Sequence, residues 1–382
     1  MVFCQGETMN RLTHFLALAG LCLLSSLSFA RTEYHIVPLF KVPQQGGDLP
    51  IVGAKAGSYG LEFYINRKDI VAGRYMDTDA STKANKPIWV YFVWNTKSGF
   101  KLIAPPTTVS MHAVYLTPNG RVFTDGWVPV GRDQSSNNFY EWTAATGWHL
   151  VWSAGKDQSE SVHGVNSFGT AMVLNQGPGL QWYLLDSSGK QMSFTPPNSG
   201  SASFVSDSGT VFGVTWEKKQ RHNFVGAHPW ASNALTGTTV MPTIPGTVGA
   251  YPVAYSNNGL VVGHVSLTEA NPATGMFVWD GLAVQYFPPE MLLAHSVPWG
   301  LNDTGQIVGE FGSLLPRRGF LKNPGKDPLD FNNLLAIEDK GKGVVTTVRG
   351  ISDDGTVVGT ITDGLLTTST IAFVGIPVEV ED

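Results

Sequence analysis

The sequence predicts an all-β chain closed into a seven-bladed β-propeller of four-stranded blades. Three observations predict it. A short hairpin pattern recurs seven times, each copy is followed by enough apolar strands to fill one small sheet, and the composition suits a compact β core. The 382 residues include 43 glycines, 42% are apolar, 11% aromatic and only 14% charged. Disordered chains are charged and poor in aromatics. Coiled coils need Ala, Glu, Lys and Leu in bulk, and collagen needs glycine at every third position. The formal net charge is −5. No basic field attracts nucleic acid, so no nucleic-acid partner is expected.

The hairpin copies are Tyr64–Val71, Tyr115–Val122, Gly164–Gly169, Phe204–Val211, Ala254–Val261, Gly300–Ile307 and Gly350–Val357. With Lys68 taken as the first counterpart of the repeat glycine, they fall 40 to 52 residues apart, the length of one blade. An Asn or Ser three residues before the glycine can bond the backbone ahead. Asp/Asn-x-Gly supplies the positive φ that a tight turn demands. The pairs Val261-Val262, Ile307-Val308 and Val357-Val358 start the returning strand. Gly263, Gly309 and Gly359 follow directly and let a neighbouring backbone approach.

A third strand follows, rich in aromatics, as in Val90–Trp94, Phe139–Trp142, Trp182–Leu185 and Met276–Trp279. A fourth often ends in proline, as in Phe100–Pro105, Met192–Pro196 and Val284–Pro288. The seventh unit is one strand short. Residues 34–39 resemble the fourth strands and are expected to complete that blade, which hides two open sheet edges. The one helical candidate is Asp327–Leu335, with Asp327 as N-cap and Pro328 at N1.

Residues 1–30 read as a secretory signal peptide. Arg11 precedes an apolar run from Phe15 to Leu24, and Ser28-Phe29-Ala30 offers a small-x-small cleavage site. Translation starts at Met1 or at Met9. Both cysteines, Cys4 and Cys22, lie in this leader, so residues 31–382, a single propeller domain, are expected to hold neither disulfide nor Cys-ligated metal. The protein is expected to be secreted or periplasmic, monomeric, and without an integral membrane segment after cleavage.

The unit Leu301-Asn302-Asp303-x-Gly305-x-Ile307-Val308-Gly309, with Phe277-x-Trp279 in the preceding unit, resembles the extracellular HAF repeat, a bacterial secreted repeat. The resemblance covers nearly all of residues 34–382. It implies export and a propeller-like fold, and it transfers no catalytic residues. No intact His-Ala-Phe occurs; His222-Asn223-Phe224 and Ala372-Phe373 come nearest. Ser206–Thr210 and Ser352–Thr356 are also similar to the Asp-box of sialidases, a structural hairpin that implies a propeller and not an activity.

The loops joining second to third strands should gather on the disc face opposite the Asp-x-Gly hairpins. They are long and unlike each other: 74–87, 125–138, 216–222, 266–275 and 314–319. Variable loops on a rigid scaffold are the usual place for binding. Trp127 and Trp216 suit sugars or peptide side chains. Arg132, Arg221, Arg317 and Arg318 suit carboxylates or phosphates. Asp77 and Asp79, with Asp69, are the candidate for Ca²⁺, but no glycine turn or distal Glu completes an EF-hand loop, and no cofactor is expected. The hairpin residues Asp207, Asp303, Asp353 and Asp354 read as turn formers.

Inner strands line the central channel. His112, His163 and His295 fall on or just before them at unequal distances from the repeat glycine, so they read as core or channel-lining residues. Glu62, His163, Ser203 and Arg349 share one place, six residues before the glycine or its counterpart, with Val114, Val253 and Trp299 at the other three. That predicts a partly polar ring in the channel.

No Gly-x-Ser-x-Gly elbow, His-Glu-x-x-His pair or Walker loop occurs, and catalytic residues stay unassigned. The expectation is a binding scaffold for an extracellular or periplasmic glycan or protein. One alternative is a hydrolase or lyase acting on glycans or lactones at the channel mouth. The other is a purely structural extracellular repeat.

Overall fold

Each repeat folds around one turn. At Asn302 the side-chain oxygen accepts the N–H of Gln306 at 2.8 Å, the N–H of Gly305 donates to the Asn302 carbonyl at 3.1 Å, and Gly305 takes φ +83°. Asn166, Ser206 and Ser256 accept from the residue four ahead in the same way. Blade one follows this pattern one residue later than expected. The N–H of Asn66 donates to Ile70 O at 3.0 Å, as that of Asn302 does to Gln306 O. The counterpart of the repeat glycine there is Asp69, not Lys68.

The computed structural model describes residues 31–42, 62–66, 70–76, 89–104, 110–117, 119–131, 134–154, 160–176, 180–218, 224–267, 275–293, 295–312, 317–362 and 370–380. They form seven four-stranded antiparallel sheets. Blade one is Glu62–Ile65, Val71–Met76, Trp89–Asn95 and Gly99–Ile103; blade two is Ser110–Leu116, Val122–Gly131, Gln134–Thr143 and Gly147–Ser153. Blade three is Glu160–Val165, Ala171–Asn175, Gln181–Leu185 and Gln191–Phe194; blade four is Ser201–Val205, Val211–Lys218, Phe224–Asn233 and Gly237–Val240. Blade five is Gly249–Tyr255, Val261–Ser266, Gly275–Trp279 and Val284–Phe287; blade six is Val297–Leu301, Ile307–Phe311, Arg318–Lys322 and Leu329–Asp330. Blade seven is Val344–Ile351, Val357–Thr362 and Thr370–Val380, and its fourth strand is the N-terminal Arg31–Val42. Contacts run from each blade to the next and from blade seven back to blade one, with first strands innermost. The chain is a seven-bladed β-propeller, closed as the sequence predicts.

The core lies between blades. Val71, Phe92 and Trp94 of blade one pack on Val358 and Val374 of blade seven, and Phe123 and Phe139 of blade two pack on Val162 and Tyr183 of blade three. Each such side chain contributes roughly 1.5–3 kcal/mol by leaving water. The glycines of the second strands make this packing possible. A Cβ on Gly263 would lie 2.0 Å from Tyr251 O and 2.6 Å from the Phe277 ring, and one on Gly309 would lie 2.1 Å from Val297 O and 2.6 Å from the Phe320 ring. The third-strand aromatic lies over the glycine.

The hairpin aspartates do more than form turns. Asp207 Oδ1 accepts the N–H of Ser167 in the preceding blade at 2.7 Å, Asp303 accepts that of Asn257 at 2.7 Å, and Asp353 accepts that of Asp303 at 2.9 Å. Asn257 takes the same part toward Asp207 N–H at 2.8 Å. The hairpins of blades three to seven are thus linked head to tail. Asp354 accepts the Thr356 N–H within its own turn at 3.1 Å.

Two further expectations change. The helical candidate is the two-residue strand Leu329–Asp330 followed by one 3-10 turn, Phe331–Leu334, and its cap is Asp330, not Asp327. Residues 125–138 are not an open loop, because pairing continues from Asp125↔Phe139 out to Gly131↔Gln134. The long 2–3 connection of blade two is mostly a strand extension.

Candidate functional site

The channel wall is shaped by β-bulges. In the innermost strands of blades three to seven the pairing skips His163, Ser203, Val253, Trp299 and Arg349. A bulge re-aims the residue it leaves unpaired. These are the residues six before the repeat glycine. His163 and Ser203 are exposed, and the other three are half-buried. Blade two bulges instead at His112, and Val114, paired with Thr124, is in the core at 4% exposure. Blade one pairs without a skip from Glu62↔Arg74 to Ile65↔Val71. Because its turn is counted from Asp69, Glu62 stands seven residues before, one outside the ring position.

Ionisable side chains recur at one place on the second strands. Asp125, His264 and Glu310 each stand five residues after their repeat glycine, and Arg74 stands five after Asp69. Glu310 is fully buried and forms an ion pair with Arg317. Burial pushes its carboxyl pKa up, and Arg317, Arg349 and the nearby indole N–H of Trp299 only partly oppose this. Arg349 places its guanidinium 4.7 Å from the centre of the Trp299 ring, and burial lowers its pKa despite the charge of Glu310. In blade three, Glu160 Oε1 accepts the Tyr183 hydroxyl at 2.8 Å and the Asn175 amide at 3.2 Å. Burial, followed by Glu160, raises the Tyr183 pKa. The Tyr115 hydroxyl donates to Val162 O at 2.6 Å across the blade boundary. Its pKa is raised by burial and by Asp125. The His163 ring packs edge-on against Trp182 with centroids 4.9 Å apart, and the loss of water around the ring lowers its pKa against a smaller pull from Asp125.

Where blades four and five meet at the loop face, an aromatic ledge forms. Trp216, near the end of its strand, packs on Tyr251 with centroids 5.9 Å apart, and Tyr251 stacks on His264 at 5.2 Å and 16°. Burial holds His264 at a pKa of about 4, so it acts here as a neutral ring.

Of the predicted loop residues, Trp216 joins this ledge. Arg317 is held by Glu310, and Arg318 by Asp330 at 2.8 Å. These two arginines are drawn into their own blade. Arg132, Arg221, Asp69, Asp77, Asp79 and the signal segment 1–30 lie outside the described residues, as do the side chains of Glu62, His112 and Trp127. His295 precedes its strand with φ +55° and is exposed. Among the described residues no group of three or more His, Cys, Asp or Glu is arranged to hold a metal ion, and no helix is long and apolar enough to cross a membrane. A cavity between blades two and three, lined by Phe139, Trp152 and Leu185, measures about 30 Å³. It has room for a water and not for a ligand.

Sequence reasoning missed Tyr251, His264 and Glu310. For His264 and Glu310 the available signal was position: a polar residue directly after the glycine of the second strand, where blade four carries Val214. Tyr251, on the first strand of blade five, carries no such mark.

No family model matches the chain, and no curated protein sequence matches it. Among solved structures it is similar to acylaminoacyl peptidase from Pyrococcus horikoshii, with TM-score 0.58 and 10% identity over 85% of this chain and 52% of that one. It thus spans about half the length of that peptidase. AofleA from Arthrobotrys oligospora aligns at TM-score 0.37 and 13% identity over 92% of this chain and 93% of its own. An exo-β-1,3-galactanase from Clostridium thermocellum aligns at TM-score 0.33 and 10% identity over 90% and 100%. At such identities a likeness shows the fold alone, and the fold carries many functions.

Proposed function

We propose that this propeller is a secreted or periplasmic binding scaffold, related to the extracellular HAF repeat proteins, that takes a glycan or a protein on the face carrying the second-to-third-strand loops. The observation that carries this is the Trp216–Tyr251–His264 ledge, a half-buried aromatic surface at that face in which Tyr251 and His264 lie near parallel and Trp216 is tilted 56° against Tyr251. Such surfaces suit the apolar faces of sugars and peptide side chains. Two acids elsewhere in the ring fit binding better than hydrolysis. Glu160 and Glu310 are buried and engaged by donors of this chain, whereas glycoside hydrolysis needs two carboxyl groups open to one substrate.

A glycan array and a pull-down from the native periplasm or medium, run with wild type, Trp216→Ala and Trp127→Ala, test the proposal. The expected result is a ligand bound by the wild type and weakened at least tenfold by Trp216→Ala. Binding unchanged when Trp216→Ala and Trp127→Ala are combined in one protein removes this surface, and turnover of a glycan or lactone by the purified protein replaces the scaffold with an enzyme.

A further inference from the structure

The bulge position is where the internal repeat gives way. Two residues nearer the hairpin every blade is apolar, from Ile65 to Ile351, and the residue after that is Asn, Ser or Thr in all seven. A position that only packs or only turns repeats with the fold. The five residues at this position in blades three to seven, six before the glycine, are all different, so packing does not dictate an arginine at 349.

The surroundings of Arg349 fit an anion. Its guanidinium lies over the Trp299 ring. Among the described residues it makes no hydrogen bond and no ion pair. Glu310, the carboxylate that attracts it, is already paired with Arg317. Two guanidiniums therefore share one carboxylate, and one positive charge is left over. With one face covered by indole, the donors of Arg349 lie in its plane as a fork. The second Glu310 oxygen and the Trp299 N–H are buried close to each other, so the wall beside Arg349 is polar. A planar monoanion matches the single excess charge. A dianionic phosphate would bring a second charge to face Glu310 uncompensated.

We propose that the channel holds a carboxylate seat, in which Arg349, backed by Trp299, takes the carboxylate of a small organic acid in a bidentate pair. The seat lies in the channel wall of blades six and seven, apart from the ledge of blades four and five, and does not depend on it.

Calorimetric titration of the chain from Arg31 onward tests it. The probes are D-glucuronate, representing acidic sugars, and N-acetylalanine, representing peptide C-termini, each beside its uncharged counterpart, glucose or N-acetylalanine amide. At least one acid is expected to bind where its neutral counterpart does not, and the acid that binds identifies the source. Arg349→Lys keeps the charge but loses the fork, and is expected to weaken binding roughly tenfold or more. Lys326→Ala, on an exposed turn, and Trp216→Ala, on the ledge, are expected to leave this affinity unchanged. Should Arg349→Lys fail to fold, wild-type protein treated with phenylglyoxal supplies the answer, since bound acid should protect Arg349 from modification. Acids bound no better than their neutral counterparts, undiminished binding in Arg349→Lys, or absence of protection overturns the seat.

Discussion

At Asp303 the carboxylate accepts the N–H of Asn257 in the preceding blade, while the Asp303 N–H is taken in turn by Asp353. Asn257 does the same for Asp207 through an amide oxygen, so a neutral acceptor suffices at this position. Asp303→Ala leaves a half-buried N–H without its acceptor and is expected to cost about 1–2 kcal/mol. Asp303→Asn should stay within about 0.5 kcal/mol of wild type. Urea unfolding midpoints measure both. Equal losses in the two variants would mean that charge, rather than the bond, is what the position supplies. The turn itself was legible, because Asn302 and Gly305 close it within four residues. The link between blades was not, because its partner lies nearly a whole repeat away. Blade one hides its register for a related reason: it has no glycine at 68 or 69, and only the Asn66–Ile70 bond fixes the count.

The closing strand is the element on which the ring depends, and it is held from two sides. Along its length Arg31–Val42 pairs with Thr370–Val380. At its back, Asp339 from the blade-six connection accepts the Ile36 N–H at 3.1 Å, meets His35 Nδ1 at 3.1 Å and forms an ion pair with Lys342. Burial pushes the Asp339 carboxyl pKa up, but Lys342, the Ile36 N–H and His35 together outweigh it and hold the pKa below the ordinary value. A depressed carboxyl stabilises the fold above its unfolded pKa and loses that contribution as pH falls through the folded value. Melting temperatures recorded from pH 7 down to about pH 3 should therefore show a steeper acid decline in wild type than in Asp339→Asn. The variant should also melt lower at pH 7. Parallel curves would show that Asp339 does not link closure to pH. Residues 34–39 announced their role by resembling other fourth strands. The clasp did not, since His35 and Asp339 stand at opposite ends of the chain. The helix expected at Asp327–Leu335 yielded to pairing, as Asp330 joins Phe320 in the sheet while its carboxylate binds Arg318 and caps Asn332.

For the whole molecule, the fold was legible because each copy is written within a few consecutive residues, whereas the candidate sites are assembled across blade boundaries. Glu310 and Arg349 come from blades six and seven, and Trp216 and Tyr251 from blades four and five, so no local motif marks them. The same division of the core between blades makes closure the decisive step of folding. Val374 and Phe373 pack with residues of blades one and six as well as with the N-terminal strand, and Tyr34 and Ile36 of that strand are 1% and 4% exposed. Deleting residues 31–42 should expose this layer and the edge of blade seven together, abolishing a single cooperative transition and promoting aggregation. The register offers a permutation to set beside the deletion. Arg31 pairs directly with Val380, so a two-residue Asn-Gly hairpin loop can join them, with new termini opened within 43–61. That permutant has the closing strand as its last element in sequence and should melt in one transition within a few degrees of the parent. If the deleted protein melted like the parent, the strand would merely cover a ring that already closes without it. If the permutant failed while the parent folded, early placement of the strand, and not its final pairing, would be what the ring requires.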